Sequence, residues 1–292
     1  MTSDAPVAAI DVGTNTTRLL VARTIGGRIE PLARGSAMTA LGAGLTEGGD
    51  IGSEGLDLVA ATVRQMAEEA RRLGARRLVV ATTAPGRKAG NRAVLLARLE
   101  AAAGVPARVL SGTEEAALTF RGMVASGAPD PLLAVDLGGG SLELMGGEGG
   151  ALRWATSIPI GVRELSERFA PPDPPPLDLL EPMVSAVREL LDAVDVPAHG
   201  REALAAGGSA EALGTLAGTD RLDRDGMLAA VERLAATPAA DLSEETGVEP
   251  KRLRLSMAGA AALEAVRRRF GFDALVVSRA GVREGLVLEA TA

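Results

Sequence analysis

Leu133–Gly147 reads LAVDLGGGSLELMGG. An apolar run leads into Asp136, three glycines follow, and Ser141, Leu142 and Glu143 open a second apolar run. Run, glycine turn and run predict two strands of a hairpin. Gly138, Gly139 and Gly140 carry no Cβ, so their backbone N–H groups can close around an anion, with Ser141 beside them. Asp136 ends the first strand and Glu143 opens the second, which places two carboxylates near that turn. Carboxylates beside a phosphate cradle suit a hard divalent cation.

The pattern occurs twice. Residues 7–22, VAAIDVGTNTTRLLVA, again run from apolar residues into an aspartate, a Gly-bearing turn and a second apolar run. Asp11 falls on Asp136, Gly13 on Gly138, Thr16 on Ser141 and Arg18 on Glu143, with Thr14 and Asn15 in the turn. A repeat 125 residues apart is too long for a solenoid. It predicts two similar α/β domains facing each other across a cleft, with Asp11 and Asp136 on opposite walls. ASGAPDP, residues 125–131, is the loop-like boundary, giving expected domains of 1–126 and 127–292 and a last helix that packs back toward the hinge.

Composition narrows the chemistry. The 292 residues are 47% hydrophobic and 24% charged, as in a folded globular protein of two domains. No run approaches a membrane span and no signal-type segment opens the chain, so a cytoplasmic protein with no membrane partner is expected. Zero Cys excludes disulfides, Fe–S clusters and thiol nucleophiles. His199, the single His, reads as a solvated loop residue and argues against a His-based zinc site or triad. A net charge of −7 and 2% aromatic residues argue against nucleic-acid binding.

Between the hairpins, Ser53–Leu73 has helical periodicity with Ser53 as its N-cap. The strand Leu78–Ala81 feeds the polar segment Thr82–Arg92, TTAPGRKAGNR, read as a loop in which Arg87 and Lys88 are candidate phosphate ligands. Arg92–Ala103 reads as a helix and Ala107–Leu110 as a strand. In SGTEEA, residues 111–116, Ser111 or Thr113 can cap a helix running to about Val124. One of Glu114 and Glu115 is a candidate general base, and periodicity does not choose between them. Further on, the strand Ala203–Ala206 meets Gly207-Gly208-Ser209 and a helix from Ala210, an arrangement that favours an anion or nucleotide on Gly208 and Ser209.

These motifs together resemble the exopolyphosphatase / guanosine pentaphosphate phosphohydrolase family of the actin-like ATPase superfamily. The resemblance covers nearly the whole chain: AAIDVGTNTTRLLVA and VDLGGGSLEL as the two phosphate hairpins, VLSGTEEAALTFRGMV as the SG-x-EEA helix, and SIPIGVRELSERF, AAGGSAEALGTLAG and VSRAGVREGLVLE as later landmarks. It implies two actin-like (ribonuclease H-like) domains in the short form, without the longer members' helical extension. It implies that Glu115 orients and deprotonates the attacking water. Asp136 and Glu143, with Asp11 of the first hairpin, would surround Mg²⁺ (or Mn²⁺). Gly13–Thr16 and Gly138–Ser141 would hold phosphate, with Arg18 and the loop arginine, Arg87. The implied substrate is inorganic polyphosphate, with guanosine pentaphosphate as the alternative, and a homodimer is a further expectation. An ATP-dependent small-molecule kinase and a non-catalytic phosphate sensor are the readings from other classes. Three features depart from the family pattern: Leu142 stands where Thr is common, Ala40 and Ala43 replace frequent charges, and the Thr82–Asn91 loop is one residue longer.

Overall fold

The computed structural model describes residues 5–43, 45–197 and 200–291. His199, expected in a solvated loop, lies outside the described residues. Contacts divide the chain into two compact units. The first takes Met1–Pro131, Gly147–Thr156 and Ala280–Ala292; the second takes Leu132–Gly146 and Ser157–Arg279.

The first unit is built on strands β1 (Val7–Val12), β2 (Thr16–Ile25), β3 (Arg28–Met38), β4 (Arg77–Thr82) and β5 (Ala107–Val109), in the order β3-β2-β1-β4-β5. β1 runs antiparallel to β2 and β2 to β3, while β1, β4 and β5 are parallel. Side chains alternate between the faces of a strand, and here both faces are covered. Ala8, Ile10, Val12, Leu19 and Val21 pack under helices α1 (Ser53–Arg72) and α3 (Arg92–Ala103), with Val59, Val63, Leu95 and Leu99; the short α2 (Ala84–Lys88) precedes α3 in the chain and packs against it. Val7, Ala9, Leu20, Ala22 and Ala81 face the other way, onto Leu118 of α4 (Gly112–Ala125) and onto Val282 and Leu286 of the last helix. This double burial is why VAAI reads as a continuous apolar run.

The second unit contains most of a six-stranded sheet. Its strands are β6 (Leu132–Leu137), β7 (Leu142–Glu148), β8 (Ala151–Ile158), β9 (Glu202–Ala206), β10 (Arg221–Leu222) and β11 (Ala274–Val277), in the order β10-β11-β9-β6-β7-β8. β6, β9 and β11 are parallel. Its helices are α5 (Val162–Phe169), α6 (Leu180–Leu191), α7 (Gly208–Ala217), α8 (Arg224–Ala236), α9 (Ala239–Thr246) and α10 (Pro250–Phe270). The last helix, α11 (Val282–Thr291), belongs to the first unit, where it packs on α4, β1 and β2. The α4–α11 crossing is backbone to backbone: a Cβ on Gly122 would overlap the Gly281 carbonyl, and one on Gly285 would overlap Leu118. No helix among the described residues is long and apolar enough to cross a membrane.

Three local expectations change. Thr82–Arg92 is not wholly a loop: Ala84–Lys88 forms a helical turn, with Pro85 where a missing N–H costs nothing. Gly52, not Ser53, is the N-cap of α1; the segment before it is held by Asn91, which exchanges two hydrogen bonds with the Ile51 backbone. The Ala-rich stretch Ser256–Phe270 reads as a helix in the sequence, but α10 starts six residues before it, at Pro250, again a proline in the first turn.

Candidate active site

The first cluster lies at the C-terminal ends of β1 and β4, where α/β sheets place ligand contacts. Asp11 sits in β1 directly opposite Arg18 of β2. The turn between them is closed by the Gly13 N–H on the Thr16 carbonyl at 3.1 Å. The next two carbonyls are turned away and bound from behind: Gly42 N–H donates to Thr14 (2.9 Å) and Ala40 N–H to Asn15 (2.8 Å). Ala40 and Gly42 thus brace the turn from behind. The end of β4 is fixed to the same strand, because Thr82, fully buried, donates its hydroxyl to the Val12 carbonyl at 2.9 Å.

The two adjacent glutamates of α4 have different surroundings. Ser111 and Glu114 form a reciprocal capping box, with Ser111 N–H on Glu114 Oε2 at 2.8 Å and Glu114 N–H on Ser111 Oγ at 3.2 Å. The Ser111 backbone N–H, joined by its hydroxyl, holds the Glu114 carboxyl below the usual range. Glu115, one residue on, accepts from Arg87 Nη1 at 2.7 Å, and the same nitrogen donates to the Leu110 carbonyl at 3.0 Å. Arg87 and Glu115 side chains are 25% and 13% exposed.

Sequence reasoning gave Arg283 no role. It opens α11 in an apolar stretch, yet it is 7% exposed. Burial, then the proximity of Arg18, depress its pKa; Glu284 opposes this, Arg34 adds to it and Asp11 opposes it. Glu284, wholly buried, is engaged twice, by Arg34 at 2.7 Å and by the Gly281 N–H at 2.8 Å. Three arginines and two acids therefore share this face of the first unit. A charged pair between Val282 and Leu286 was the available signal.

The second cluster lies at the ends of β6 and β9. Gly138 N–H closes its turn on the Ser141 carbonyl at 2.9 Å, the same bond as between Gly13 and Thr16. Here too the carbonyls are bound from behind: Val162 N–H donates to Gly138 (3.1 Å) and Arg163 N–H to Gly139 (3.0 Å), both from the first turn of α5. Asp136 lies beside Ala206 of β9, and Gly207, at φ +106°, fits its Cα against the Leu137 carbonyl where a Cβ would overlap it. Gly208 begins α7. Ser209 is 5% exposed and packs against Gly259 of α10. Glu143 is 1% exposed and accepts from Ser157 Oγ at 2.8 Å.

Among the described residues no three His, Cys, Asp or Glu side chains form a ready metal cage. Mg²⁺ does not need one, since it is bound through one or two carboxylates, water and substrate phosphate. A buried, oriented Glu143 near the end of the Asp136 strand provides hard oxygen donors of that kind.

Comparison with known proteins agrees with this architecture. Residues 20–292 match the Ppx/GppA phosphatase family. An uncharacterised protein of Streptomyces coelicolor is 31% identical, the match covering 96% of this chain and 89% of that one. The structure of an exopolyphosphatase-like protein superposes with TM-score 0.85 at 27% identity, covering 98% of both chains. The Aquifex aeolicus PPX-GPPA enzyme (TM-score 0.79, 24% identity, 98% and 99% covered) and an exopolyphosphatase from Cytophaga hutchinsonii (0.85, 22%, 98% and 99%) share the fold. With two matching glycine-bearing turns, an actin-like pair of α/β units and a family match over nearly its whole length, the chain belongs to the Ppx/GppA phosphatases, enzymes that hydrolyse phosphoanhydride bonds.

Proposed function

We propose that this phosphatase is an exopolyphosphatase that releases terminal orthophosphate from inorganic polyphosphate with Mg²⁺ (or Mn²⁺). The observation that carries the reading is the division of labour on α4: Glu114 is engaged by the cap, while Glu115 is held by Arg87 in the first turn, at the sheet edge that carries the Gly13–Thr16 turn. Phosphoryl transfer asks for charge neutralisation, positioning and an oriented nucleophile. The Gly13–Thr16 and Gly138–Ser141 turns, their carbonyls bound from behind, offer N–H groups to phosphate oxygens. Arg18 and Arg283 supply positive charge in a chain that is acidic overall. A desolvated arginine beside a second one is costly, and a polyanion offsets that cost.

Asp136 and Glu143 would hold the metal, whose chemistry there is to shield phosphate charge. Glu115 takes a proton from water as the water oxygen bonds to the terminal phosphorus. The bridging P–O bond breaks, its electron pair stays on the shortened chain, and the proton passes from Glu115 to solvent. Polyphosphate is favoured over guanosine pentaphosphate because Ser209, in the segment expected to meet a nucleotide, is packed onto Gly259.

The test is phosphate release from medium-chain polyphosphate, guanosine pentaphosphate and ATP, assayed side by side with Mg²⁺. The highest kcat/KM is expected on polyphosphate, with Glu115→Gln reducing kcat by ~10²–10⁴-fold. A preference for the pentaphosphate overturns the substrate, and an undiminished Glu115→Gln overturns the base.

A further inference from the structure

We propose that Arg87 is a positioning residue for Glu115 and not a ligand of the polyphosphate chain. The inference rests on the reading of Glu115 as general base. Arg87 lies in the last turn of α2, a segment with little freedom to move. Gly86 faces Thr82 and Val109 so closely that an added Cβ would meet their methyl groups at 2.5 and 3.2 Å. Thr82 is itself tied to Val12. From this fixed base a single nitrogen, Nη1, reaches both the Leu110 carbonyl, at the exit of β5, and Glu115 Oε2, in the first turn of α4.

Two consequences follow. The contact on Leu110 fixes the guanidinium, and the guanidinium in turn fixes the carboxylate plane of Glu115 and engages Oε2. A general base is effective only when its lone pair is aimed at the water, and a misplacement of about 1 Å can cost ~10²-fold in rate. If Arg87 swung onto a phosphate, it would give up its bonds to a partly buried carboxylate and to a backbone carbonyl, a loss that a solvated phosphate contact replaces poorly. Arg18 and Arg283 already supply cations for the chain.

The experiment is a double-mutant cycle on Arg87 and Glu115 with medium-chain polyphosphate, or with whichever of the three substrates above is turned over. Arg87→Ala is expected to lower kcat ~10²-fold with KM changed less than ~2-fold, and added guanidinium ion to restore part of the rate. In the Glu115→Gln background the same change is expected to cost almost nothing further, because Arg87 acts through that carboxylate. Arg87→Lys, which keeps the charge but not the two-acceptor geometry, is expected to show the same kcat loss and serves where the alanine variant fails to fold. A KM raised ~10-fold at unchanged kcat, an equal loss in both backgrounds, or no loss at all overturns the proposal. The Glu115→Gln single variant reports separately on the base: full activity there removes the base whatever Arg87 does.

Discussion

Gly161 lies against Gly139 so closely that a Cβ at position 161 would overlap the Gly139 carbonyl and the Gly140 nitrogen. The contact seats the first turn of α5 under the glycine turn, where Val162 and Arg163 N–H hold the Gly138 and Gly139 carbonyls. Gly161→Ala is expected to lift α5 off the turn, with an overpacking cost of ~1–3 kcal/mol and a KM for polyphosphate raised ~10-fold or more. Gly147→Ala serves as control: its Cβ would overlap Ala151, at the far end of β7, so it should lower Tm and leave KM alone. Equal effects of the two on KM would show that Gly161 supports only the fold.

Ser157 helps to orient the buried Glu143 across 2.8 Å, and loss of that bond loosens the carboxylate. Partners of this kind typically matter 10–100-fold for metal affinity, an order of magnitude that sets the expectation here. Ser157→Ala should raise the Mg²⁺ concentration for half-maximal activity by about 10-fold, and Asp136→Asn and Glu143→Gln by more. Chelation should abolish activity and added Mg²⁺ or Mn²⁺ restore it. A metal titration unmoved by all three changes would place the ion elsewhere.

The duplicated turn was legible in the sequence because it is local. Aspartate, glycine and a hydroxyl residue at fixed offsets produce the same closing bond twice, at Gly13–Thr16 and at Gly138–Ser141. The cap on α4 was legible as Ser111 or Thr113, and the structure selects Ser111, whose capping box takes Glu114; periodicity leaves open which of Glu114 and Glu115 could serve as a base. The α2 turn was not legible: five residues holding a proline and a glycine carry no period. Nor was β10, at two residues. Arg283 escaped because its burial is a long-range property, arising only when α11 lies on the sheet face that carries Asp11 and Arg18.

Acid should act on α10. Glu264 has a side chain only 5% exposed; burial raises its pKa, but bonds from Arg267 and Arg268 outweigh that and hold it below the ordinary 4.5. A carboxylate depressed in the folded state stabilises above its unfolded pKa, and that stability drains away as pH falls through the folded value. Thermal midpoints of the wild type should therefore drop from pH 5 towards pH 3. Glu264→Gln should start lower at pH 7 and show a shallower drop. Parallel curves for the two proteins would assign the acid sensitivity to other carboxylates.

Arg283 sets stability against activity. Its guanidinium is desolvated and has Arg18 and Arg34 for neighbours, so its charge is a net cost to the fold. Glu284 does not depend on it, being held by Arg34 and by the Gly281 N–H. Arg283→Met keeps the length and apolar stem of the side chain and removes the cation. The expected result is a Tm equal to or a few degrees above wild type, with kcat/KM on polyphosphate lowered ~10-fold or more, since a charge-assisted phosphate contact is lost. Arg283→Lys should fall between, because a single ammonium does not reproduce the planar fork. The opposite pattern, a lower Tm with activity intact, would make Arg283 a packing residue and leave Arg18 as the cation of the first turn.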